Sequence, residues 1–160
     1  MNKKQCFILV LLLVLMLISC SKAEIQLQDG YYTAEMDDFD PFGWKDYITI
    51  RVSGGKIIHV EYDSYNSSGL TKSWDMDYMR SMNEVSGSYP NSYTRTYGEK
   101  LLETQSCEKI DCVTGATYSH RVFTMLARAA LENARAGITD TRLVDIFTGQ
   151  TEIQKNYKNE

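Results

Sequence analysis

Nine consecutive residues, Asp111-Cys112-Val113-Thr114-Gly115-Ala116-Thr117-Tyr118-Ser119, hold most of the chemistry this sequence offers. Thr114, Thr117 and Ser119 supply three hydroxyls within six residues, and Gly115 and Ala116 leave the backbone between them nearly bare. Val122, Met125, Leu126, Ala129, Ala130 and Ala134 follow at helical spacing. A helix therefore begins here and points its free N–H groups and partial positive charge at the turn. Such a turn suits a phosphate. The same residue types also make an ordinary helix cap, and spacing alone leaves both readings open.

The elements that must position this turn can be read from periodicity. Tyr31 to Met36 is rich in aromatic residues and opens after Asp29-Gly30 as a strand. Tyr47 to Val52 alternates apolar and polar, the pattern of a half-buried strand. Ser53-Gly54-Gly55-Lys56 is a hairpin turn. Ile57 to Tyr62 is the returning strand, with Ile58, Val60 and Tyr62 expected on one face. Trp74, Tyr78, Met79, Met82 and Val85 then recur at helical spacing. Pro90 is placed to start a further helix through Tyr93, Tyr97 and Leu101. Lys109 to Val113 reads as a short strand, and Gly137 closes the last helix. Leu143, Val144, Ile146 and Phe147 form an apolar patch expected to dock on the domain, ahead of a polar tail expected to fray. The fold class is α+β: an antiparallel sheet with helices packed on one side, in a single domain.

The first residues stand apart. Lys3 and Lys4 precede a 12-residue apolar run, Phe7 to Ile18, too short to cross a bilayer comfortably. The run ends in Leu17-Ile18-Ser19-Cys20, which resembles the lipobox of bacterial lipoproteins, where the cysteine is lipidated and becomes the first mature residue. An uncleaved anchor helix is the other reading. The expected organisation is a signal peptide over 1–19, a tether over 20–28, a domain over 29–137 and an extension over 138–160. The 160 residues carry a formal charge of −4. Cleavage removes only Lys3 and Lys4 among charged residues, so the mature chain is slightly more acidic. That argues against nucleic acid as a partner, which calls for a basic face.

Of the 4 Cys, one leaves with the signal and one carries lipid, so Cys107 and Cys112 remain. With only 2 His they make a structural zinc site improbable, and no metal site is assigned. Fully extended, the two cysteines would stand about 17 Å apart. A disulfide spans at most about 7 Å, so pairing needs a turn at Glu108-Lys109 and is left open.

Asp111-x-x-Thr114-Gly115-Ala116-Thr117 resembles the flavinylation motif of the FMN-binding domain family, which includes flavin-carrying subunits of ion-pumping quinone reductases and many extracytoplasmic lipoproteins. Asp29-Gly30-x-Tyr32-x-Ala34-Glu35, Gly43-Trp44-Lys45-Asp46, Gly55-Lys56-Ile57, Asp63 and Lys72-Ser73 extend the resemblance, which spans roughly Asp29 to Gly137. His120 departs from it, since small hydroxyl residues are commoner there. The resemblance implies that a flavin transferase joins FMN from FAD to Thr117 by a phosphoester bond. Asp111 and Thr114 would then recognise and position, and Gly115 and Ala116 would give the phosphate access to backbone.

A flavin joined in that way needs surfaces to hold its ring. Trp44, Tyr78, Met79 and Met82 are candidates for stacking, each with core packing as the alternative. Trp44 is expected in a loop. Lys45 could meet an electron-rich ring edge or simply be solvated. His59 is expected on the surface, and His120 on the first turn of the last helix.

The function implied is a lipid-anchored extracytoplasmic flavoprotein with no catalytic residues of its own. It would pass electrons from a membrane quinol or reductase to an external acceptor. The rival is a non-redox lipoprotein binding module that keeps the fold, motivated by the acidic, aromatic segment Asp37 to Trp44.

Overall fold

A computed structural model describes residues 26–148 and 151–154 of the chain. The signal sequence, Cys20 and the first part of the tether lie outside the described residues.

The first three strands form a meander: β1 (Gly30–Met36), β2 (Trp44–Ser53) and β3 (Lys56–Asn66). Period-two alternation sends Tyr32, Ala34 and Met36 of β1 and Ile48, Ile50 and Val52 of β2 to one face, where all are buried. Tyr32 pairs with Ile50 and Ala34 with Ile48 in an antiparallel register. The β2–β3 turn is Gly54-Gly55 at φ 60 and 71, a backbone that L side chains resist.

One inward residue of β3 differs from the expectation. The register slips between Arg51 and Val52, so that Arg51 faces His59 while Val52 faces Ile57. Ile58 is the extra residue of this bulge and is 45% exposed, and Ile57 takes its place in the core. His59 is exposed, on the outer face.

Three helices follow: α1 (Met76–Ser86), α2 (Pro90–Thr104) and α3 (Thr117–Ala136). α2 packs on β3, and α3 packs on β1 and β2. Tyr93, Tyr97 and Leu101 of α2 meet Val122, Phe123, Leu126 and Ala130 of α3 in one core. Alanines at 127, 129, 130 and 134 let α3 lie close to the sheet. The outer face of the sheet is polar, with Thr33 and Thr49 hydroxyls 2.9 Å apart and a Lys45–Glu35 ion pair at 3.1 Å.

Two elements depart from the sequence reading. α1 fully buries none of its residues, and Trp74 lies ahead of it in a 3-10 turn (Lys72–Trp74), 76% exposed. Residues 109–113 are no strand. Cys107–Lys109 is a 3-10 turn, and the following backbone is met by side chains instead of a sheet edge: Ile110 O lies 2.8 Å from His120 Nε2. The turn needed for a disulfide is thus present, yet Cys107 is buried, Cys112 is exposed, and both are free.

The sheet continues past Gly137. β4 (Thr141–Val144) pairs parallel to β1, and β5 (Thr151–Gln154), where a frayed tail was expected, pairs antiparallel to β4. The strand order is β3-β2-β1-β4-β5, antiparallel but for the β1–β4 pair. Val144 and Ile146 dock in the core, and Phe147 stays exposed. Ile146→Ala should therefore destabilise the domain by about 2–5 kcal/mol in urea denaturation, the cost of a central core residue.

Candidate functional site

Residues Val113 to Ala116 form a tight turn closed by Ala116 N–H donating to Val113 O at 2.9 Å. Gly115 sits at φ 80, and a Cβ there would stand 2.5 Å from Ser86 O at the end of α1. Only glycine fits both the left-handed backbone and the close approach.

α3 starts directly after this turn. Its N-cap is Ala116, and no side chain caps it. The first intrahelical bond runs from His120 N to Ala116 O at 2.9 Å. The N–H groups of Thr117, Tyr118 and Ser119 precede that bond, and none of the hydroxyls of Thr114, Thr117 or Ser119 serves as a cap. The hydroxyls are thus not used for capping, and the first N–H groups of the helix have no side-chain partner.

Tyrosines from other elements hold the turn. Tyr97, fully buried on α2, accepts from Val113 N–H at 3.1 Å and donates to Ala116 O at 3.3 Å. Burial pushes its phenol pKa up to about 12. Tyr62 of β3 places its hydroxyl 2.7 Å from Asp46 Oδ2 and 3.1 Å from Ser119 O. Tyr93 of α2 lines the same pocket as Ser119. Ser119 is thus inward and held, whereas Asp111, Thr114 and Thr117 are exposed at the mouth. Cys112 Sγ lies 3.8 Å from Thr117 Oγ1. His120 uses its ring to hold Ile110 O and so acts as a brace for the segment.

Beside the turn opens a pocket of about 150 Å³ lined by Asp40, Phe42, Lys72, Tyr78, Met82, Tyr93, Gly115, Ala116, Tyr118 and Ser119. Tyr78 and Met82, read from the sequence as stacking candidates, are on its wall, while Met79 is not. Trp44 is not in a loop. It opens β2, is 5% exposed, and stands behind the wall with its ring edge on Tyr78 at 5.7 Å. Lys45 points to the opposite face of the sheet, paired with Glu35, because neighbours along a strand alternate.

The lysine that does reach the pocket is Lys72. Its ammonium lies 5.3 Å from the Trp44 ring centre and 5.0 Å from that of Tyr78. Beneath it, Asp46 accepts from Ser64 Oγ at 2.5 Å and lies in the field of Lys72. Burial raises the Asp46 pKa, opposed first by Lys72. At the rim, Asp40 Oδ1 accepts from Phe42 N at 2.9 Å and Trp44 N at 2.8 Å, which folds the acidic loop back and leaves Phe42 78% exposed. Asp40, Phe42, Lys72, Tyr93 and Tyr118 are site residues that sequence reasoning did not single out as such. Only Lys72 carried a signal, through the Lys72-Ser73 pair of the resemblance.

An uncapped helix end, a hydroxyl at its mouth, and a pocket walled by aromatic and Met side chains over a buried cation fit a phosphate carrying a flat, electron-rich ring.

Comparison with known proteins agrees. The sequence profile described as the FMN-binding domain matches residues 43–132. The "15 kDa lipoprotein" of Treponema pallidum (strain Nichols) is 42% identical over 127 residues, 79% of this chain and 89% of that protein. A crystal structure of a Clostridium perfringens protein aligns with a TM-score of 0.72 at 41% identity, covering 74% of this chain and 98% of that one.

Tyr97 offers a direct test of how the turn is held. Tyr97→Phe leaves Val113 N–H without its partner, takes one of two donors from Ala116 O, and should cost about 1–3 kcal/mol at neutral pH. The folded chain keeps the phenolic proton up to about pH 12, whereas an unfolded tyrosine releases it near 10. Stability from this group is therefore whole below pH 10 and falls as pH rises toward 12. Urea titrations across that range should show a shallower alkaline decline in the variant.

Proposed function

The chain belongs to the FMN-binding domain family, and from that premise we propose that it carries FMN covalently on Thr117 as a lipid-anchored, extracytoplasmic electron carrier. The observation that carries this reading is the uncapped start of α3, with the Thr117 hydroxyl exposed at its first position beside the pocket. A flavin transferase would move the FMN unit of FAD onto that hydroxyl, releasing AMP and a proton. The first N–H groups of α3 then face the phosphate, and Gly115 lets it approach the backbone. Asp111 and Thr114, exposed at the turn, are open to the transferase. Tyr78, Met82, Tyr118 and Phe42 offer surfaces for the ring and exclude water from one side of it. Bound FMN supplies one- and two-electron chemistry.

The anchor belongs to the same proposal. Cys20 ends a lipobox-like run, and the Treponema relative is named a lipoprotein. The chain joins the domain where Gln28 N–H donates to Ala134 O at 2.9 Å, near the end of α3. Thr117 and Ala134 are 17 residues apart, about 25 Å along the helix. A lipid on Cys20 would tether the domain through this segment, with a membrane quinol or reductase as the electron donor.

Production with a flavin transferase and FAD should add the mass of one FMN less one water, and the yellow colour should survive denaturation. Thr117→Ala should gain no mass. A wild-type chain that gains none, or an alanine variant that still carries flavin, overturns the reading and leaves the non-redox binding module. Cys20→Ala should move the protein from the membrane to the aqueous fraction.

A further inference from the structure

Lys72 is the one cation among the residues that line the pocket. It is 5% exposed, its carbonyl accepts from Asp75 N–H at 3.2 Å, and among the described residues its ammonium forms neither an ion pair within 4 Å nor a hydrogen bond. Its neighbours are the Trp44 and Tyr78 rings, with Asp46 acting on it through space. Two ring contacts and the field of Asp46 hold the ammonium, and no carboxylate of the described residues bonds it directly. The lysine is nevertheless fixed with care. It opens a 3-10 turn whose Ser73 N–H donates to Asp63 Oδ1 at 3.3 Å, the carboxylate that also accepts from Ser64 N at 2.8 Å. A cation held rigidly on a pocket wall, with no carboxylate bonded to it, is built to meet a negative charge brought in by a ligand.

We infer that Lys72 meets the N1–C2=O edge of the flavin ring and stabilises the negative charge the ring acquires on reduction, so that this lysine sets the protein's reduction potential. The inference rests on Thr117 as the point of attachment. Two anionic groups could reach the pocket, the phosphate and the ring edge, and the placement of Thr117 selects the ring. Thr117 is exposed and does not line the pocket, and its phosphate would lie against the open N–H groups of α3. What extends inward from there enters the pocket that Tyr118, Tyr78, Met82 and Lys72 line together. A space of about 150 Å³ takes an edge of the ring system and leaves the rest between the aromatic walls. Two electrons from the donor and one proton from water, taken up at N5, leave one negative charge spread over N1–C2=O. A fixed cation there lowers the energy of the reduced form and not of the oxidised one, which raises the potential.

The test uses flavin-loaded wild type, Lys72→Met and Lys72→Arg, together with the flavin-free forms. In Lys72→Met the reduced form should lose at least about tenfold in relative stability, a fall of about 30 mV for the two-electron couple. Lys72→Arg should keep most of the wild-type potential. Flavin-free Lys72→Met loses the counter-charge to buried Asp46 and should melt lower than flavin-free wild type, whereas flavin-free Lys72→Arg should keep most of the wild-type melting temperature. Wild type supplies a second readout that needs no variant. Sulfite adds to N5 and leaves its charge on N1–C2=O, so the loaded protein should bind sulfite at least about tenfold more tightly than free FMN does. An unchanged potential in loaded Lys72→Met overturns the inference. So does a fall of equal size in Lys72→Arg, sulfite binding no tighter than that of free FMN, or slow loading with an unchanged potential, which assigns the lysine to the phosphate. A wild type that takes up no flavin overturns the Thr117 reading instead.

Discussion

The whole site depends on how the start of α3 is held without a cap of its own. A helix end normally satisfies its first N–H groups with the side chain of its own N-cap residue. Here the N-cap is alanine, and the stabilisation comes from elsewhere, through tyrosine hydroxyls that bind the carbonyls and leave the N–H groups open. Tyr97 clamps both ends of the preceding turn, and Tyr62 reaches Ser119 O from the sheet. A side-chain cap would have covered the groups an anion needs. Bracing from below keeps the helix end fixed and the donors free.

That solution fixes much of the packing. Tyr62, Tyr97 and Phe123 must lie against one another for the hydroxyls to reach, with ring centres 5.0 to 6.3 Å apart. Tyr62 reaches Ser119 only because it pairs with Ile48 in the register of β2 and β3. The bulge at Ile58 adjusts that register near the hairpin and leaves the strand beyond it in phase. A polar group left alone in this core would cost its full desolvation. Tyr62, Ser64 and Asp46 satisfy one another, and the lysine above them does not share in those bonds.

The elements readable from sequence were those whose pattern and burial coincide. The hairpin announced itself by alternation and two glycines, α3 by its apolar stripe, and α2 by proline followed by Tyr93, Tyr97 and Leu101. The turn from Asp111 to Thr117 showed bare backbone and hydroxyls before a helix, which an ordinary cap shares, and the resemblance of its motif to the FMN-binding domain family singled it out. Misreadings arose where context overrides pattern. Ile58 looks as apolar as Ile57, and only the register of the partner strand decides which faces inward. Residues 109–113 look like a strand, but no sheet edge is available beside α3, and His120 and Tyr97 take their backbone bonds. α1 shows a helical period with almost nothing to pack against, since one of its sides borders the pocket. Lys72 carried a signal only through the Lys72-Ser73 pair of the resemblance, because a lysine in a polar stretch reads as solvated until the fold encloses it.

The same geometry explains why the site can be both fixed and accessible. α3 runs from the open pole at Thr117 to the pole where Gln28 enters, and its middle is buried against β1 and β2. The loop carrying Phe42, one side of α1 and Tyr118 all border the pocket at the open pole. Burial of the braces and exposure of the acceptor hydroxyl follow from one arrangement: polar bonds made beneath the helix start leave its upper side uncovered.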